Sequence, residues 1–137
     1  MTEDVRQWLL KALEDLKIAE HELSFPPEEQ ATGPVCFHCQ QTAEKLFKAY
    51  MVFNGKDFPK THDLEHLLEL CARIAPDFKS LDLGNLTDYA IEVRYPDEFY
   101  TPTAGEAKES FKLTVKIKKF VFKELGVTKR DILRKKR

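Results

Sequence analysis

The 137-residue chain has few structure breakers: five glycines and seven prolines. Long stretches can therefore stay regular, and no low-complexity segment or internal repeat interrupts them. Its three cysteines, Cys36, Cys39 and Cys71, are too few and odd in number for a disulfide framework. No run approaches the roughly 18 consecutive apolar residues of a membrane span. The first residues open directly into an amphipathic pattern containing acids, unlike a secretory leader. A cytoplasmic location without membrane attachment is the expectation.

Nor does one sign of charge dominate. The net charge is −1, which does not mark a dedicated nucleic-acid binder and leaves nucleic acid an open question. The charge is nevertheless uneven. Between Thr128 and Arg137, Lys129, Arg130, Arg134, Lys135, Lys136 and Arg137 stand against Asp131, a local +5, which leaves −6 for the rest. Such a tail can hold phosphate or an acidic partner, although a frayed, soluble terminus is the plainer reading. What is abundant is hydrophobic (42%) and charged (33%) residues, a mix that suits one solvated globular domain.

Helical periodicity carries the rest. Thr2 can cap a first helix to about Leu23, with Val5, Leu9, Ala12, Leu13, Leu16, Ala19 and Leu23 along one stripe. Phe25-Pro26-Pro27 ends it. A second helix is predicted from about Pro34 to Phe53, with Cys36, Cys39, Ala43, Leu46, Phe47 and Tyr50 inward and Asn54-Gly55 as its stop. A third starts at Thr61 and ends before Pro76. Asp77 to Leu83 suggests a turn or two, and Asn85 to about Val93 a short helix that Pro96 terminates. Thr103-Ala104-Gly105-Glu106 matches a capping box, opening a final helix that Gly126 closes. That helix carries two apolar stripes, which suits burial on more than one side or a meeting with a second subunit. No strand pattern competes. The expected fold is all-α, an up-and-down antiparallel bundle of about five helices around a four-helix core, spanning residues 1–126, with a basic tail at 127–137.

The chemistry-bearing residues are fewer. Cys36-Phe37-His38-Cys39 and His62-x3-His66 invite a metal. However, the cysteines lie on an apolar stripe, and the histidines lack the glutamate that a zinc protease places directly after the first. No metal and no cofactor are predicted. His38 points about 100° away from Cys39 on a helix and is a poor base for it, so cysteine catalysis is not expected. No glycine loop cradles phosphate and no carboxylate pair stands out. His38, Gln41, Lys45 and Lys48 connect by three- and four-residue steps, as a solvated helix face or as a binding face. Arg94-Tyr95 places a guanidinium beside aromatic rings, where stacking and phosphate binding compete with simple capping of its own helix.

The stretch from Cys36 to Ala49, CFHCQQTAEKLFKA, resembles the signature of the HEPN family (Higher Eukaryotes and Prokaryotes Nucleotide-binding). Lys60-Thr61-His62-Asp63-Leu64 followed by Leu67-Leu68 resembles its second block, and Tyr89 with Arg94-Tyr95-Pro96 its third. The likeness covers roughly residues 1–125. It implies a helical bundle, frequently a homodimer, and a small prokaryotic member paired with a minimal nucleotidyltransferase in a toxin–antitoxin-like system. Many relatives are ribonucleases that use Arg-x(4–6)-His. Here neither Arg94 nor Arg73 has a histidine in that window. The resulting expectation is a non-catalytic module that binds a nucleotide or a nucleotidyltransferase through His38, Gln41, Lys45, Lys48, His62, Tyr89, Arg94 and Tyr95. A ribonuclease with an atypical acid–base group, His62 or His38, and a purely structural homodimer are the alternatives.

Overall fold

The computed structural model describes residues 1–90 and 100–134. Among these residues five α-helices follow in order: α1 Glu3–Leu23, α2 Thr32–Phe53, α3 Leu64–Ile74, α4 Ala104–Leu125 and α5 Lys129–Leu133. Three 3-10 turns among them, Pro27–Glu29, Pro76–Ser80 and Leu86–Tyr89, punctuate the connections. Among the described residues there is no strand, and no helix is long and apolar enough to cross a membrane. The all-α bundle read from periodicity is the fold observed.

Helix ends follow their local chemistry. The Thr2 side chain accepts from the Val5 amide, and Glu3 and Asp4 sit in the positive first turn of α1. At Thr103 the capping box closes as the sequence foretells: its hydroxyl accepts from the Glu106 amide and the Glu106 carboxylate accepts from the Thr103 amide. Gly126 ends α4 at φ +67°, a left-handed conformation open to glycine at no steric cost.

The short helix expected from Asn85 to about Val93 is, in its described part, the 3-10 turn Leu86–Tyr89, and its remainder lies outside the described residues. Three boundaries also differ from expectation. Helix α2 begins at Thr32, two residues before Pro34, whose fixed φ and missing amide are tolerated in a first turn. The Thr32 hydroxyl donates to the Pro102 carbonyl at 2.6 Å and ties this end to the approach of α4. Helix α3 begins at Leu64 rather than Thr61, because the Asp63 side chain accepts from the His66 amide and takes the cap. The C-terminal segment is the third. Thr128 and Asp131 form a second capping box, and Ile132 of α5 is fully buried. The plain reading of a frayed end is therefore corrected for the residues up to 134: one apolar side chain docks this short helix on the bundle.

The core runs along α2, which packs on α1 and α4 and also meets α3. Leu9, Leu46, Phe47, Leu64, Leu67, Ile117 and Ile132 are fully buried. Phe78, from the turn Pro76–Ser80, is equally buried and ties three elements together. Its ring lies 4.5 Å from Tyr50, 4.8 Å from Phe120 and 6.2 Å from Phe47.

Candidate functional site

Helix α2 carries polar side chains into the bundle, which is unusual because a buried charge is costly unless it is paired. On its α1 side the partner is Asp15, 8% exposed. Its carboxylate meets His38 Nδ1 at 2.7 Å through one oxygen and accepts from Lys45 Nζ through the other. On its other side the partner is Glu44, 4% exposed. Oε2 accepts from Lys48 Nζ at 3.0 Å, while Oε1 meets His62 Nδ1 at 2.8 Å and Gln40 Nε2 at 3.2 Å. Gln40 Nε2 also donates to the His62 carbonyl, and Gln40 Oε1 accepts from Gln41. Burial alone would raise the Glu44 carboxyl. The hydrogen bonds from His62, Lys48 and Gln40 outweigh it and hold the group below its ordinary value.

Of the four residues that helical steps grouped together, His38 and Lys45 go to Asp15 and Lys48 to Glu44, while Gln41 donates to the Gln40 side chain instead. Lys48 is 7% exposed, so it lies on neither a solvated face nor a free cationic one. His62, brought in by the segment before α3, keeps most of its ring in water: 63% of the side chain is exposed. Tyr89 stands apart from these residues. Its hydroxyl donates to Glu106 at 3.3 Å, and Tyr100 donates to the same carboxylate at 2.6 Å. Burial, reinforced by the nearby Cys36 and Glu106, pushes the Tyr89 hydroxyl well up, whereas the bond from Tyr100 lowers Glu106. Arg94 and Tyr95 lie outside the described residues.

Sequence reasoning passed over the two carboxylates that organise the site. Asp15 had a signal: it sits among Ala12, Leu16 and Ala19 on an apolar stripe, where an acid needs a buried partner. Glu44 had one too, four residues before Lys48 and beside Ala43 on the inward face of α2. A third omission is an aromatic corner. Trp8 and Phe58 meet edge to face at 5.5 Å, and Lys48 Nζ lies 5.8 Å and 5.2 Å from their ring centres. The two rings, with Asp4, Gln7, Lys11, Lys45 and Val52, line a groove of about 490 Å³. Nothing in the helical periodicity joins Trp8 to Phe58, because Phe58 reaches it from a loop.

The cysteines take no part in this chemistry. All three are free and buried. Burial raises the thiol of Cys36 and pushes those of Cys39 and Cys71 up to about 12, the opposite of an activated thiolate. Among the described residues no group of three or more His, Cys, Asp or Glu side chains is placed to hold a metal ion. A thiol-reactive dye should label no cysteine rapidly in the native chain and all three in denaturant. Fast labelling of even one native thiol would contradict this packing.

Comparison with known proteins is consistent with the three motif blocks. No curated protein and no solved structure matches the chain. The model of the HEPN domain matches residues 5–125, which takes in all but the first two residues of α1, the whole of α2 to α4, both buried carboxylates and the Trp8–Phe58 pair. On that match, the chain belongs to the HEPN domain family.

Proposed function

We propose that the chain is a non-catalytic HEPN binding module that takes a nucleotide and pairs with a minimal nucleotidyltransferase in a toxin–antitoxin-like system. One observation carries the nucleotide part. The motif cations are largely spent on Asp15 and Glu44, Lys45 among them, while the groove beside them offers two half-buried aromatic rings, with Lys11 and Asp4 also in its lining. A flat base suits the rings and a phosphate suits Lys11. The volume falls within the range of about 300–1,000 Å³ common for small-molecule sites. The pairing part rests on the family likeness and on the missing histidine after Arg94.

Co-expression with a nucleotidyltransferase encoded beside the chain, followed by size exclusion, tests the pair. The expected result is co-elution, together with a melting temperature that rises with nucleoside triphosphate, since a ligand of the native state stabilises it by mass action. Separate elution and no nucleotide-dependent rise would sink the proposal.

A second reading, an atypical ribonuclease, is favoured by one arrangement. When neutral, His62 can donate its Nδ1 hydrogen to Glu44 and keep Nε2 as an acceptor, as a general base requires. RNA cleavage by the purified chain, abolished in His62→Asn, would support it. Equal background in both proteins removes it.

A further inference from the structure

The charge imbalance noted at the C-terminus is wider than the tail and has a defined geometry. Residues 104–137 hold twelve basic side chains against four acidic ones, a net +8. Residues 1–103 hold ten against nineteen, a net −9. Within α4 the excess is sorted to one side. Lys108, Lys112, Lys116, Lys119 and Lys123 recur at steps of four and three, and all five are exposed. At about 100° per residue they fall within an arc of about 80°, and at about 1.5 Å per residue they form a straight ridge about 22 Å long.

The only exposed acid on this helix is Glu109, at the margin of that arc. Among the described residues none of the five lysines belongs to an ion pair. Three further exposed cations, Lys129, Arg130 and Arg134, follow in the chain. A row of like charges one turn apart repels itself. A polyanion laid along the ridge removes that repulsion.

We propose that this face of α4 is a docking surface for the phosphate backbone of a double-stranded nucleic acid, bound without reading its sequence. The composition of the ridge selects this occupant. Lysine is depleted from the cores of protein–protein interfaces, where aromatic and apolar anchors dominate, and α4 has no exposed large hydrophobic residue. The same lack leaves nothing to insert into a lipid surface. Single strands are held by aromatic platforms on which bases stack, and this exposed face has none. What remains is backbone contact by point charges, the sequence-independent part of duplex binding. The ridge is separate from the Trp8 groove, so its failure would leave the nucleotide proposal standing.

The test is fluorescence anisotropy of the full chain with a DNA duplex, an RNA duplex of the same sequence and the corresponding single strand, across a salt series. With five lysines engaged, log affinity for DNA should fall against log salt with a slope of about −4.5. The variant K112Q/K116Q/K119Q, folded by circular dichroism because its positions are exposed, should make that slope shallower by about 2.7 and weaken both duplexes more than the single strand. The variant K129Q/R130Q/R134Q separates the contribution of α5 and should change the slope less. Whichever duplex binds more tightly identifies the source of the phosphate. No duplex binding at about 50 mM salt overturns the proposal. So does binding unmoved by the triple change in α4, or competition by polyglutamate equal to that by unlabelled duplex.

Discussion

Replacing Glu44 with alanine is expected to lower the unfolding free energy by about 3–5 kcal/mol, the cost of leaving a buried cation without its counter-ion. Lys48 would lose its partner at 3.0 Å while remaining buried, and Gln40 would lose an acceptor inside the core. His62 is mostly exposed and contributes little to this loss, since water can replace its bond. Because folded domains are stable by only about 5–15 kcal/mol, the variant would stand near the edge of folding. The double change Glu44→Leu with Lys48→Met removes both charges and should recover most of the loss, since replacing a buried ion pair by apolar groups is often neutral. Urea unfolding of the three proteins gives the comparison. A Glu44→Ala loss below about 1 kcal/mol would show that the pair reaches water.

The same group sets a pH dependence. Its native carboxyl lies below the ordinary value of 4.5. The stabilisation is therefore complete above that value and fades as pH falls below it, through the depressed native pKa. Glu44→Gln should flatten this acid limb.

Phe78→Ala should cost a similar amount, about 3–5 kcal/mol, because deleting a fully buried ring removes its transfer free energy and leaves a cavity that can relax only in part. The ring bridges α2 and α4 through Tyr50 and Phe120, so the loss spans two helices that touch along their length. Phe78→Leu fills most of the space and should cost much less. Thermal melts followed by near-ultraviolet dichroism would also show the tyrosine environment change. A small loss for Phe78→Ala would mean that the turn Pro76–Ser80 is not held by this ring.

Phe78 illustrates what the sequence hid. Its segment has no period, so its burial depends on where a turn lands rather than on a repeating stripe. Helices α1, α3 and α4 were legible because each has an apolar face, a capping threonine or aspartate and a proline or glycine at or soon after its end, whereas α2, without a side-chain cap, was legible from its apolar face and Asn54-Gly55. Thr103 with Glu106 is the clearest case, down to the reciprocal bonds. Boundaries moved where two caps competed, as Asp63 prevailed over Thr61. Ile132 docked because one apolar residue sufficed, a signal too small to stand out within a basic run.

The site was legible only in part. The motif residues His38, Lys45, Lys48 and His62 do lie around α2, yet spacing along one helix cannot show which acid from another element will neutralise each cation. Asp15 comes from α1 and Phe58 from a loop, so the ion pair and the aromatic corner exist only after folding. Five lysines on α4 were present in the periodicity from the start, hidden because attention to its two apolar stripes leaves the outer face unread.

For the proposed nucleotide site at the Trp8–Phe58 groove, the chain supplies its own probe. Trp8 is the only tryptophan, and it forms one wall. Titrating the chain with a nucleoside triphosphate while following tryptophan emission should give a saturable change. That change should weaken at least about tenfold in Phe58→Ala, a loss of about 1.4 kcal/mol in binding. Emission that stays constant to millimolar nucleotide, or a response identical in Phe58→Ala, would contradict it.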